Sequence, residues 1–250
     1  MGTRDELIPL LKKLRLSGVL ETLDLRLREA VDDEVAPIEF LVRTLRDEVE
    51  RRESKLMATR VRKASFEHAK TLADFDFAFN PTVPKAKVID LATCTFLGRR
   101  ENVLLLGQTG VGKSHLAQAI GHRACRGGHS VLFIPAHEMF RELRSARADG
   151  TATKKVQRYL NVDLLILDDL GLRPLEHTDP MDLYDIIRGR YERGSIIITS
   201  NRDAEEILPL FPDPLLGSAA VDRLLHHAHV LRLTGRSYRT SGDGGATAEA

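Results

Sequence analysis

Residues 103–116, VLLLGQTGVGKSHL, constrain this chain more than any other stretch. Residues 103–106 are an apolar run, the pattern of a parallel strand buried on both faces. The run gives way to Gly107, Gln108, Thr109, Gly110, Val111, Gly112, Lys113 and Ser114, which fit G-x-x-x-x-G-K-[ST] without a mismatch. A helical pattern follows, with Leu116, Ala119 and Ile120 on one face. The order strand, glycine loop, helix is what gives the motif physical meaning. Glycines let the backbone curl, its N–H groups become an anion cradle, and the helix N-terminus adds partial positive charge. Lys113 is expected to reach the β- and γ-phosphates of a nucleotide, and the Ser114 hydroxyl to ligate Mg2+. The expected nucleotide-binding set runs from Gly107 to Ser114 and takes in His115.

Composition limits what surrounds this loop. With 250 residues the chain is long enough for one or two domains, and a net charge of +1 excludes a uniformly basic nucleic-acid binder. Any such contact has to come from a local patch. The two cysteines, Cys94 and Cys125, provide neither a disulfide framework nor a metal spacing, which suits free thiols in a reducing cytoplasm. No apolar stretch reaches the roughly 18 residues of a membrane span, and the N-terminus has no signal-peptide layout.

Three parts follow along the sequence: an N-terminal helical domain over 1–65, an α/β domain over 66–240, and a disordered tail over 241–250. Thr3 and Glu6 have capping-box spacing ahead of Leu7, Leu10, Leu11 and Leu14. Val19, Leu20, Leu23 and Leu27 mark a second helix. Pro37 opens a third, with Ile38, Leu41, Val42, Leu45 and Val49 on one face. These apolar faces are expected to meet in a small bundle. The third helix continues into residues 51–63, where Arg51, Arg52, Lys55, Arg60, Arg62 and Lys63 face a single acid, Glu53. That run is either a solvated helix face or a phosphate-backbone contact.

Phe75, Phe77 and Phe79 alternate in a linker broken by Pro81 and Pro84. A short helix is expected over 85–94. Further strands are expected at 130–135, 163–169, 196–199 and 230–233, with one or two helices over 137–158 carrying Arg141, Arg144 and Arg147. Strands alternating with helices mean a five-stranded parallel sheet covered on both faces. The histidines 226, 227 and 229 do not have the spacing of a metal site.

A phosphate cradle needs a metal holder. The apolar strand 164–167 ends in Asp168 and Asp169; the first acid can hold Mg2+ and the second can polarise an attacking water. Asn201, closing the fourth strand, is placed to face the γ-phosphate. Arg223, preceded by Asp222 on a later helix, suits a finger reaching a neighbour's nucleotide, with Arg190 and Arg193 as alternatives. No N-K-x-D guanine reader is present, which favours ATP over GTP.

Taken together, ENVLLLGQTGVGKSHLAQAIGHRA, LLILDDLG, YERGSIIITSNR, VDRLLHHAHV and GRSYR resemble the IstB-type transposition helpers, AAA+ ATPases related to DnaC-type helicase loaders. The similarity spans roughly residues 5–240. It implies an AAA+ core with ATP and Mg2+ held by Lys113, Ser114 and Asp168. Asp169 becomes the catalytic acid, Asn201 the water sensor and Arg223 the finger. It further implies self-assembly, as a ring or filament, on double-stranded DNA beside a transposase, and no membrane. Helices carrying Arg144 and Arg147 face the channel in related assemblies. Many relatives have glutamate where Asp169 stands, so slow hydrolysis suited to a timer is expected. The chain ends soon after its fifth strand, which leaves no room for a helical lid. The alternative within the same resemblance is a replicative helicase loader.

Overall fold

Glu48 decides how the N-terminal helices meet. The computed structural model describes residues 4–68 and 70–238. It divides into two compact units, Met1–Thr59 and Arg60–Ala250. The first contains α1 (Arg4–Lys13), α2 (Ser17–Asp32) and most of α3 (Pro37–Ala64). At the start of α2, the carboxylate of Glu48 accepts from the backbone N–H groups of Gly18 and Val19. A carboxylate there satisfies orphan donors and complements the helix dipole. Gly18 is required for the approach: a Cβ on it would lie 2.7 Å from the Glu48 Cα. One helical turn along α2, Thr22 donates to the Asp47 carboxylate, and one turn further Arg26 forms a fork on it at 2.7 and 2.8 Å. Hydrogen bonding to Arg26 holds the Asp47 carboxyl down at about 2.

This interface overturns the expected bundle. Thr44, Asp47, Glu48 and Arg51 form the face of α3 that meets α2, and it is polar. The apolar stripe therefore turns outward, with Ile38 73 % exposed and Leu41, Val42, Leu45 and Val49 also exposed. The small core consists of Leu11, Val19 and Leu23, with Leu16, Leu20 and Phe40 packed against it. Leu7, Leu10, Leu14 and Leu27 are exposed as well. Thr3 and the tail at 241–250 lie outside the described residues.

The second unit is a parallel five-stranded sheet: β1 (Asn102–Gly107), β2 (Val131–Pro135), β3 (Leu164–Asp168), β4 (Ser195–Ser200) and β5 (Ala228–Leu233). Their order is β2-β3-β4-β1-β5. Every expected strand forms, with ends shifted by up to two residues. Side chains alternate across the sheet. Leu105, Ile166 and Ile197 face a core shared with α6 (Lys113–Arg126), α4 (Lys85–Leu91) and α5 (Thr95–Arg99). Leu104, Leu106, Leu165, Leu167 and Ile198 face the side covered by α7 (Ala136–Ala148), α8 (Ala152–Leu160), α9 (Asp179–Arg190) and α10 (Pro214–Leu225). The helix expected over 85–94 ends at Leu91, and a second helix not read from the sequence, α5, starts after Cys94, which adopts a left-handed conformation.

Arg190 rules itself out as a finger, because it is 1 % exposed. Its guanidinium donates to the backbone oxygens of Tyr159, Leu160, Val162, Asp163 and Ser195, joining the end of α8 to the starts of β3 and β4. Burial lowers its pKa to about 10, so it stays charged at neutral pH. Arg190→Leu leaves several buried carbonyls without donors and should cost at least about 3 kcal/mol, read as a lower denaturant midpoint. An unchanged midpoint would contradict this structural role.

Candidate functional site

The glycine loop connects β1 to α6, and its three glycines all have positive φ: 140° at Gly107, 85° at Gly110 and 98° at Gly112. Such angles suit glycine and let consecutive peptides curl. α6 begins at Lys113, so its free N–H groups open onto the loop. Lys113 is only 4 % exposed, and its Nζ donates to the backbone oxygens of Gly107 and Gln108 at 2.8 and 2.9 Å. Residues 107–114 are thus assembled into one cradle. His115 turns its ring away from it: Nε2 lies 2.8 Å from the Thr71 oxygen, and Phe75 packs edge-on at 5.2 Å. Its ring holds the linker, and its backbone N–H remains at the helix N-terminus.

The strand order brings the acidic pair to the cradle. β4 lies between β1 and β3, so the ends of all three strands converge. Ser114 lies close enough to the Asp168 carboxylate to favour its charged form. Burial raises the Asp168 pKa above its ordinary value, the Thr199 hydroxyl pulls against that, and the nearby Asp169 charge adds to the rise. Thr199, inside an apolar strand, was missed as a site residue in the sequence. Its Oγ1 donates to Asp168 at 2.6 Å and accepts from the Asp169 N–H at 2.9 Å. Ser200 Oγ then donates to the Leu170 oxygen and Arg202 Nε to the Gly171 oxygen. The end of β4 so clamps the turn after β3 and holds Asp169 in a left-handed conformation, φ 55°. A polar residue at the penultimate position of SIIITS is the one signal that was available.

Asn201 follows β4 directly and is exposed. Arg223 is half-buried on α10. It donates to the Ala219 oxygen at 2.7 Å and lies over the Tyr184 ring at 5.8 Å; these groups, rather than Asp222, orient it. Arg193 is exposed.

The expected DNA contacts divide into two kinds. Arg51 pairs with Glu21 and Arg52 with Glu48 in the first unit. In the second, Arg144 pairs with Asp179 and Arg147 with Asp182, which fasten α7 to α9. Lys55, Arg62 and Lys63 are exposed, and Arg60 is half-buried.

Comparison with known proteins decides the family. Residues 9–244 match the family model of the IstB-like ATP binding protein. The chain belongs to the IstB-like ATP-binding proteins. It is 40 % identical to an insertion-sequence ATP-binding protein of Mycobacterium tuberculosis, over 92 % of each chain. It is 36 % identical to the IS21 ATP-binding protein of Pseudomonas aeruginosa, over 94 % of this chain and 88 % of that one. Among solved structures, DnaI aligns with a TM-score of 0.56 at 24 % identity, covering 68 % of this chain and 90 % of that one. The DnaC helicase loader aligns with a TM-score of 0.52 at 22 % identity, covering 70 % and 99 %. These two are likenesses of fold, and the fold is that of an AAA+ ATPase. The family and both relatives are named for ATP binding. Among the described residues no helical domain follows β5 and no helix is long and apolar enough to cross a membrane.

If Thr199 holds both acids, Thr199→Val should lower ATP turnover by about tenfold or more, the loss of one charged hydrogen bond. Thr199→Ser, which keeps the hydroxyl, should restore most of it. Equal steady-state turnover in the valine variant and the wild type would remove Thr199 from the site.

Proposed function

We propose that this chain is an ATP-dependent transposition helper: it assembles with copies of itself on double-stranded DNA, recruits a transposase, and resets by hydrolysing ATP to ADP and phosphate. The observation that carries the reading is the convergence of Lys113, Ser114, Asp168 and Thr199 on one cradle. It occurs in a chain whose relatives are named as insertion-sequence ATP-binding proteins.

Each residue has a part in that reading. The loop amides of residues 107–115 receive the phosphates and Lys113 supplies positive charge between them. Ser114 and Asp168 fit a magnesium ion: they are neighbouring hard oxygen donors, and the buried carboxylate gains from a cation beside it. When bound, that ion neutralises charge on the β- and γ-phosphate oxygens. Asp169, held by its own N–H on Thr199, orients and polarises the attacking water. Asn201, exposed at the strand end, orients the same water. Arg223 reaches the nucleotide of a neighbouring copy once it leaves Tyr184. Lys55, Arg62 and Lys63 are the exposed cations best suited to DNA phosphates. Arg51, Arg52, Arg144 and Arg147 would have to exchange carboxylate partners to join them.

A mixing experiment on duplex DNA tests the assembly. Arg223→Ala should bind ATP and lose turnover by on the order of 10³, while Lys113→Ala should lose ATP binding. Neither hydrolyses alone, but a mixed interface joins an intact cradle to an intact arginine, so ATPase activity should return on mixing. Cross-linked mixed assemblies without activity would overturn the shared site.

A further inference from the structure

Past β5 the chain turns back over the glycine loop. The Thr234 oxygen accepts from the Thr82 hydroxyl, which anchors the turn to the linker. Gly235 follows at φ 134°, packed so closely on the buried Asn80 amide that a Cβ would lie 2.4 Å from Asn80 Oδ1. Ser237 then covers Gly110: a Cβ on Gly110 would lie 2.1 Å from the Ser237 Oγ. Finally the Tyr238 N–H donates to the Gly110 oxygen at 3.0 Å, and the Tyr238 ring packs edge-on against Phe79 at 4.9 Å.

The consequence follows from peptide geometry. The Gly110 carbonyl and the Val111 N–H belong to one planar trans peptide and point in opposite directions. A donor held on the carbonyl fixes where that N–H points. Gly110 is at φ 85°, and with no side chain of its own the loop peptide is free to rotate unless something holds it. Tyr238 supplies the hold from the face opposite the N–H, and Ser237 fills the space through which the peptide would swing.

We infer that residues 234–238 are a positioning strap for the nucleotide site: the Tyr238 N–H, by tethering the Gly110 carbonyl, aims the Val111 N–H at the phosphates of a bound nucleoside triphosphate. Its ligand is the polyphosphate, recognised through the loop backbone. The inference rests on the reading of residues 107–114 as the phosphate cradle.

Proline at 238 removes the donor. In the full chain, ATP affinity is measured by equilibrium titration, with turnover at saturating ATP and Tm alongside. Tyr238→Pro should weaken ATP binding by roughly fivefold to tenfold, with saturating turnover and Tm unchanged. Tyr238→Ala keeps the N–H and should bind as the wild type does. A chain ended after Thr234 loses the same donor and should show the same affinity loss, which guards against a fault peculiar to proline. Wild-type affinity in both donor-less chains overturns the strap, as does an equal loss in the alanine and proline variants with a fall in Tm, which would make the aromatic packing merely structural. Lys113→Ala separates the two readings. If the wild type binds ATP, Lys113→Ala does not, and Tyr238→Pro binds normally, the strap alone fails. If the wild type binds no ATP, the cradle reading fails and the strap with it.

Discussion

A buried ammonium group sets the terms for the rest of this molecule. Lys113 sits at the head of α6 with 4 % of its surface exposed. Taking such a charge out of water is costly unless it is hydrogen-bonded. The oxygens of Gly107 and Gln108 meet that need, but they do so only because the loop curls back upon itself. That curl is possible because three of the eight loop residues are glycines with positive φ. The carbonyls solvate the lysine, and an anion bound there would meet both the ammonium and the N-terminal amides of α6. The same curl that solves the burial of one side chain leaves a concave, amide-lined loop suited to an anion.

The arrangement for hydrolysis depends on a different element. β4 separates the loop strand from the acidic strand, and Thr199 near its end links to both Asp168 and Asp169. One hydroxyl thereby sets the position of a carboxylate suited to a cation and of a carboxylate suited to water. Ser200 and Arg202 extend the clamp along the turn. In the proposed reading, binding groups come from the loop and α6 and hydrolytic groups from β3 and β4, so substitutions in one set should leave the other folded.

The glycine loop and all five strands were legible in the sequence, because a strand buried on both faces has to be apolar along its length and the loop motif allows few substitutes. The order of those strands was not legible, since parallel strands of similar composition carry no mark of their neighbour. Thr199 was hidden for that reason: its role exists only once β4 lies beside β3. Arg190 read as an alternative finger because no local pattern announces that its five oxygen partners come from the ends of three elements. The outward stripe on α3 failed the expectation of a bundle because the decisive contacts, Glu48 on Gly18 and Asp47 on Arg26, are polar, and an apolar period says nothing of them. GRSYR stood out as a motif, yet the packing of Ser237 and Tyr238 on Gly110 depends on chain reversal after β5, which spacing alone does not reveal.

The account stands on ATP occupying the Lys113 cradle, and calorimetric unfolding of the full chain with and without Mg2+ and ATP examines that directly. A ligand held at one hundred times its dissociation constant stabilises the folded state by about 2.7 kcal/mol, which for a chain of this size raises Tm by roughly 5–11 °C. The account predicts a rise of that size, saturating with ATP concentration. A Tm that does not move at millimolar ATP would contradict it.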